Sequence, residues 1–353
     1  MSGLKQTIIR SGLEGLYFSG AHRALKRFVG GVGAILTLHH VRPSRPDRFQ
    51  PNRLLEITPA FFARVIRSLR RSRVDLVSLD EMHRRLTEAD FSRRFVCVTF
   101  DDGYRDTLEW AYPILKEAEV PFAVYVATSF PDRLGELWWL ALEAVIARNN
   151  RIGLEVDGRN RTFDCADVAD KRALFNELYW WLRRRRTETE VRRIVRDLAA
   201  CYQVDIAGFC NDLCMSWAEL SELAADPLVT IGAHTVNHPM LAKLPADAVR
   251  AEMDLSRSVI EAALDKRPEH LAFPVGDRTS AAMANSRGRA RVQDRGDDAA
   301  GRGVSWARKN PDGAAAALAE RRIPAPALRA RAALGFGDRD VERLARPGGG
   351  VSG

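Results

Sequence analysis

No apolar run in this 353-residue chain is long enough to cross a bilayer. The N-terminal segment also lacks the continuous apolar block of a secretory leader. Lys5, Arg10, His22, Arg23, Lys26 and Arg27 are scattered there among Leu4, Ile8, Leu13, Leu16 and Leu25. Export is not indicated, and the expected location is cytoplasmic. Residues 1–32 read as a basic amphipathic helical segment, packed on the domain or in weak contact with an anionic membrane surface. Cysteine is sparse: five residues, Cys97, Cys165, Cys201, Cys210 and Cys214, are an odd number without framework spacing. This excludes a disulfide scaffold. Cys210 and Cys214 have no second Cys or His pair beside them, which argues against a zinc knuckle and for ordinary thiols.

Excess charge is also missing from most of the chain. The net charge is +8, but residues 281–353 hold 13 Arg and one Lys against eight acidic residues. The body is therefore close to neutral, and a nucleic-acid partner is not expected. Apolar residues make up 46% and charged residues 28%, so there is a core to bury and nothing of a disordered chain in the bulk composition. One α/β barrel with an insertion accounts for the length.

From residue 33 β-rich runs alternate with helical ones, the pattern of parallel strands joined by crossover helices. Candidate strands are Ala34 to His39, Val74 to Val77, Phe95 to Phe100, Phe122 to Ala127, Leu228 to Gly232 and His270 to Phe273. Thr58 and Pro59 before Phe61, Phe62, Val65, Ile66 and Leu69 give an N-cap, a proline at the first helical position and an apolar stripe. Ser216-Trp217-Ala218-Glu219 forms a capping box that starts a helix ahead of the strand at Leu228. Residues 131–215 read as a helix-rich insertion within a domain spanning 33–280. Its tryptophans (Trp138, Trp139, Trp180, Trp181) are expected in the core, and its run Arg183 to Arg186 at a solvated helix end.

After about residue 280 the composition switches: 18 Ala, 13 Arg and 11 Gly fill 73 positions, with one Ile and no His. Such a segment has little with which to build strands. Residues 281–353 are therefore expected to be a non-native or disordered tail, as an out-of-frame reading of a GC-rich gene would produce. The barrel would then lack its last strands.

Two strand-end motifs carry the chemistry. The run Phe95 to Phe100 leads into Asp101-Asp102-Gly103-Tyr104, which sets two adjacent carboxylates where α/β folds place their active sites. Burying both charges is costly without a cation; a metal on one leaves the other free as a base. Gly103 supplies freedom for the turn. The second motif, His234-Thr235-Val236-Asn237-His238-Pro239, carries two imidazoles four residues apart, expected on one face of a helical turn. One Asp and two His leave coordination positions open, as in a catalytic site.

Thr99-Phe100-Asp101-Asp102-Gly103 together with His234-Thr235-Val236-Asn237-His238-Pro239 resembles the first two motifs of carbohydrate esterase family 4, the polysaccharide deacetylases. The likeness continues through Leu38-His39-His40-Val41-Arg42-Pro43, Val77-Ser78-Leu79-Asp80-Glu81 and Phe273-Pro274-Val275-Gly276-Asp277. It implies a distorted (β/α) barrel of the polysaccharide deacetylase type with a helical insertion, incomplete at the C-terminus. It implies Asp101 as general base, and Asp102, His234 and His238 as ligands of a divalent ion, zinc first with cobalt or nickel as alternatives. Thr235 would be a supporting residue that fixes the loop. A backbone N–H near Tyr104 would share the oxyanion charge, and Pro274 would support the site or touch substrate.

Two features depart from the family pattern. The third motif usually has an Arg and a Pro-Tyr pair, where this chain reads Ala272-Phe273-Pro274-Val275-Gly276; and no histidine follows His270 to serve as the usual late general acid. Permuted members carry that acid in the first strand, which suits His39, with a structural role for His39, or His40 as the acid, as alternatives. The implied activity is hydrolysis of N-acetyl groups on an amino-sugar polymer or oligomer, a carbohydrate substrate. The alternatives are O-deacetylation and a catalytically impaired barrel acting as a binding protein. The oligomeric state stays open.

Overall fold

The computed structural model describes residues 31–275, together with the isolated positions 11 and 19. The amphipathic helix expected over 1–32 lies outside the described residues but for positions 11, 19, 31 and 32, and the tail over 281–353 lies wholly outside them. No helix among the described residues is long and apolar enough to cross a membrane.

A parallel sheet organises the chain: β1 (Gly33–Leu38), β4 (Val74–Leu76), β5 (Arg94–Phe100), β6 (Phe122–Val126) and β9 (Val229–Ala233). The order is β1-β5-β6-β9, with β4 paired to residues 94–96 of β5 ahead of β6. The short strands β2 (His40–Val41) and β3 (Glu56–Ile57) pair with each other beside it. β6 is wholly buried and β5 nearly so, which is why both read as continuous apolar runs rather than as alternating ones. The sixth expected strand, His270 to Phe273, is reduced to one parallel bridge between Ala233 and Leu271.

Helix α1 (Pro59–Arg71) starts as its sequence requires: the Thr58 hydroxyl accepts the Phe61 N–H, Pro59 opens the first turn, and Phe62 and Ile66 are buried under the sheet. Helix α2 (Leu79–Thr87) buries Leu79 and Met82 on the other face, against Phe95, Cys97, Ala123 and Tyr125. Further along come α3 (Tyr112–Glu117), α8 (Trp217–Ala224) with both arms of its capping box formed, and α9 (Ala246–Leu264).

Between β6 and α8 lie α4 (Trp138–Arg148), a hairpin of β7 (Arg151–Val156) and β8 (Arg159–Asp164), α5 (Val168–Arg185), α6 (Glu188–Cys201) and α7 (Ile206–Leu213). The stretch is helix-rich as expected, and the hairpin is an addition to that reading. Its signal is local: Asp157-Gly158, both with positive φ (52° and 78°), makes the two-residue turn that right-twisted strands favour. These elements bury their own core of Leu142, Val145, Ile146, Leu178, Val195 and Leu198. Trp138 and Trp139 are buried within it. Trp180 and Trp181 are only half-buried, and Arg183 and Arg184 lie over the Trp180 ring and Arg186 over Trp181, so the arginine run covers their exposed faces.

Candidate metal centre

The register of the sheet brings the first two groups together. Thr37 pairs with Thr99 and Leu38 with Phe100, so His39 and Asp101 are the next residues of two adjacent parallel strands. The Asp101 N–H bonds the Leu38 carbonyl at 2.9 Å, which extends the pairing by one step. His39 Nε2 lies 4.0 Å from Asp101 Oδ2, with the side chains 26% and 14% exposed. Asp102 leaves the strand through a left-handed conformation (φ 71°), which turns its carboxylate inward to 3% exposure. Two neighbours in sequence thus meet different surroundings: the Asp101 side chain keeps 14% exposure with its Oδ1 buried, and Asp102 faces the interior.

His234 follows β9, and its N–H bonds the Val126 carbonyl of β6 at 2.9 Å. The expectation that His234 and His238 share a face of a helical turn is corrected here. No helix forms at 234–239; Thr235 and His238 take left-handed backbone (φ 68° and 54°), and these two reversals swing the second imidazole back towards the first. The Thr235 hydroxyl accepts the His238 N–H at 3.1 Å, inside that turn. His234 Nε2 and His238 Nε2 stand 3.5 and 3.2 Å from Asp102 Oδ1. One ligand atom from each of the three residues lies within 4.8 Å of the others.

The donor set fits a divalent cation. Asp102 Oδ1 is buried without a hydrogen-bond partner, facing two imidazole nitrogens. His234 Nδ1 is 3.1 Å from the Ala272 carbonyl, so the proton sits on Nδ1 and the Nε2 lone pair points at Asp102. Burial raises Asp102 to about 7 and lowers His234 to about 4. His39 falls to about 3, first through burial and then through the charges of His40 and His234. Asp101 is raised well above the usual carboxylate range by burial and then by Asp102. Every charged form is penalised and the imidazoles stay neutral, the state in which they coordinate metal.

The remaining expected residues fall around this centre. His40 turns away from Asp101: its Nδ1 meets Asp106 Oδ2 at 2.7 Å, and its ring stacks on Tyr104 with centroids 3.8 Å apart. The Tyr104 side chain is fully buried, which leaves only its backbone for any contact with substrate. Pro274 is buried two residues past Ala272. Sequence reasoning missed Trp139, whose ring centroid is 5.1 Å from that of His238, and Phe130 at 6.2 Å. It also missed Glu252 of α9, whose Oε2 accepts the N–H groups of Val236 and Asn237 at 2.8 and 2.9 Å. Nothing in the sequence around Glu252 marks it, because its partners lie 15 and 16 residues upstream in a loop.

Residues 88–290 match the family described as polysaccharide deacetylase. That span contains Asp101, Asp102, His234 and His238, whereas His39 precedes it. Among solved structures the chain is similar to the Streptococcus pyogenes deacetylase PplD in complex with acetate, at 16% identity over 72% of this chain and 79% of that one, with a TM-score of 0.43. IcaB from Ammonifex degensii is similar at 18% identity over 73% and 81%, TM-score 0.43. The BpsB deacetylase domain from Bordetella bronchiseptica is similar at 15% identity over 72% and 85%, TM-score 0.39. No curated protein matches the chain.

Proposed function

Because the chain belongs to the polysaccharide deacetylase family, we propose that it hydrolyses N-acetyl groups on an amino-sugar polymer or oligomer, releasing acetate and a free amine. The observation that carries this reading is the pairing of the Asp102, His234 and His238 cluster with Asp101 and His39, 4.0 Å apart in front of it.

A divalent cation held by Asp102, His234 and His238, zinc first and cobalt or nickel next, would polarise the acetyl carbonyl and acidify a bound water. The protein's own groups move the protons. Asp101, the more exposed of the two carboxylates at 14% against 3%, takes a proton from the attacking water as its oxygen bonds the acetyl carbon. His39 is held neutral by burial and stands 4.0 Å from Asp101 Oδ2. The proton taken by Asp101 passes to it through one bridging water. When the carbon–nitrogen bond breaks, His39 delivers that proton to the departing amine. Atoms balance: one water and one amide give acetate and an amine. An amine leaves only when protonated, so a histidine beside the base favours N-deacetylation over O-deacetylation. A backbone N–H near Tyr104 would share the charge on the oxyanion, and Thr235 supports the loop.

The test is release of acetate and free amine from N-acetylglucosamine oligomers, with an acetate ester in parallel. The full chain is assayed as purified, after chelator treatment, and after return of zinc. Activity on the oligomer that chelator abolishes and zinc restores is expected. Ester hydrolysis alone would replace the reading with O-deacetylation. A chain that binds zinc at Asp102, His234 and His238 but turns over neither substrate would overturn it in favour of a binding role.

A further inference from the structure

The loop between the two candidate histidine ligands is held against its own backbone preference. Thr235 and His238 both adopt left-handed φ, a conformation that residues with side chains keep only when their surroundings enforce it. Three residues intervene between His234 and His238, and the middle of that connection is gripped from two sides.

On one side stands Glu252 of α9. Its Oε2 accepts both the Val236 and the Asn237 N–H groups, at 2.8 and 2.9 Å, and its Oε1 accepts Asn237 Nδ2 at 2.8 Å. On the other side Arg192 of α6 donates from Nη2 to the Asn237 carbonyl, while its Nη1 bonds Glu136 Oε2 at 3.3 Å. Asn237 thus has its N–H, side-chain amide and carbonyl all committed, and the next residue is His238. Two of the bonds to Glu252 carry backbone N–H groups that no strand or helix satisfies at this point, and all three are charge-assisted.

We propose that Glu252, acting through Asn237 and seconded by Arg192, is a positioning residue that sets the metal affinity of the site by holding His238 Nε2 at Asp102. This rests on the metal-binding reading of Asp102, His234 and His238. It also gives the segment containing α6 a part in the centre, since Arg192 and Trp139 reach the His238 loop from that side.

The test is zinc affinity of the full chain, measured by competition with a chromogenic chelator, alongside the thermal midpoint of the zinc-free protein. Glu252→Gln is expected to weaken zinc binding by about 10- to 100-fold. The substitution keeps the shape but sets an amide N–H₂ against that of Asn237. The swapped pair Glu252→Gln with Asn237→Asp restores donor-to-acceptor matching and is expected to recover most of the affinity. Arg192→Met should give a smaller loss, and Asp254→Asn, exposed on the same helix, none. A purely structural role would lower the midpoint of the zinc-free Glu252→Gln protein while leaving the affinity of the folded molecules within twofold of wild type; that result overturns the proposal. If Glu252→Gln does not fold, Asn237→Ala, which removes a single bond, replaces it: several-fold weaker zinc binding supports the proposal and unchanged binding overturns it. Wild-type protein that binds no zinc would instead remove the metal reading itself.

Discussion

His39 and Asp101 follow directly on neighbouring parallel strands in register, and their side chains stand 4.0 Å apart. In the proposed mechanism the two residues form a single proton-handling unit in front of a buried Asp102.

Asp101→Asn is expected to lower kcat by about two to four orders of magnitude while metal content, read by atomic absorption, stays near that of wild type. Only the base is lost, because the ligand set lies on the inward side of the turn. Equal loss of metal would show that the roles of Asp101 and Asp102 are reversed.

The pH dependence of kcat/KM follows from the environment of Asp101. Burial and then Asp102 raise its carboxyl well above the usual range in the metal-free protein, whereas a dication on Asp102 would pull it down by direct attraction. The base works only when ionised, so activity falls as pH drops through its folded value. In the metal-free protein the Asp101 carboxyl is expected to titrate above the ordinary aspartate value of about 4, and zinc is expected to lower it, both read by carboxyl NMR. A metal-free value at or below about 4 would contradict the burial argument.

Glu56 offers a stability test away from the chemistry. Burial alone would raise its carboxyl, but hydrogen bonding and charge from Arg42, then Arg45, outweigh it and hold Glu56 below its usual range. A depressed folded value means the stabilisation is present above the unfolded value and is lost as pH falls through the folded one. Glu56→Gln should therefore cost about 1.5–3 kcal/mol at pH 7 in denaturant unfolding, and the gap to wild type should close in acid. A gap that persists at low pH would assign the effect to packing.

Gly232 has no room for a side chain beside the His234 turn. A methyl there would lie 2.5 Å from Tyr125 Cδ1 and 3.1 Å from the His270 carbonyl oxygen. Gly232→Val is expected to cost about 1–3 kcal/mol or more in thermal unfolding and to weaken zinc binding, since Tyr125 and the Ala272 segment both border His234. Unchanged metal affinity would show that the strain relaxes away from the site.

Thiol chemistry checks the packing of the whole described body. Cys201 is exposed, while Cys97, Cys165, Cys210 and Cys214 are buried; burial pushes Cys97 up to about 12. One thiol per chain should react with an aromatic disulfide reagent under native conditions, and all five in denaturant. Fast reaction of Cys210 or Cys214 would mean that the end of α7 opens.

The candidate ligands were legible because each motif sits at the end of an apolar run, and parallel strands deliver the residues that follow them to one edge of the sheet. Asp101, Asp102 and His234 could be read in that way from Phe95 to Phe100 and from Leu228 to Gly232. The Asp157-Gly158 turn is a local hairpin signal as well, set among residues whose helical periodicity is stronger.

Other features had no local signal. Nothing in the spacing of His234 and His238 announces that they converge through left-handed backbone rather than a helical turn, because φ reversals at Thr235 and His238 are imposed by partners such as Glu252 from another element. Whether His39 or His40 faces Asp101 depends on strand register, which turns alternate side chains to opposite sides and sends His40 to Asp106 and Tyr104. The residue types for the chemistry were thus set by the chain's own order. Their different settings, one aspartate partly exposed beside His39 and its neighbour buried against two imidazoles, were decided only by packing, because burial and electrostatic environment are properties of the folded surroundings and not of the residue.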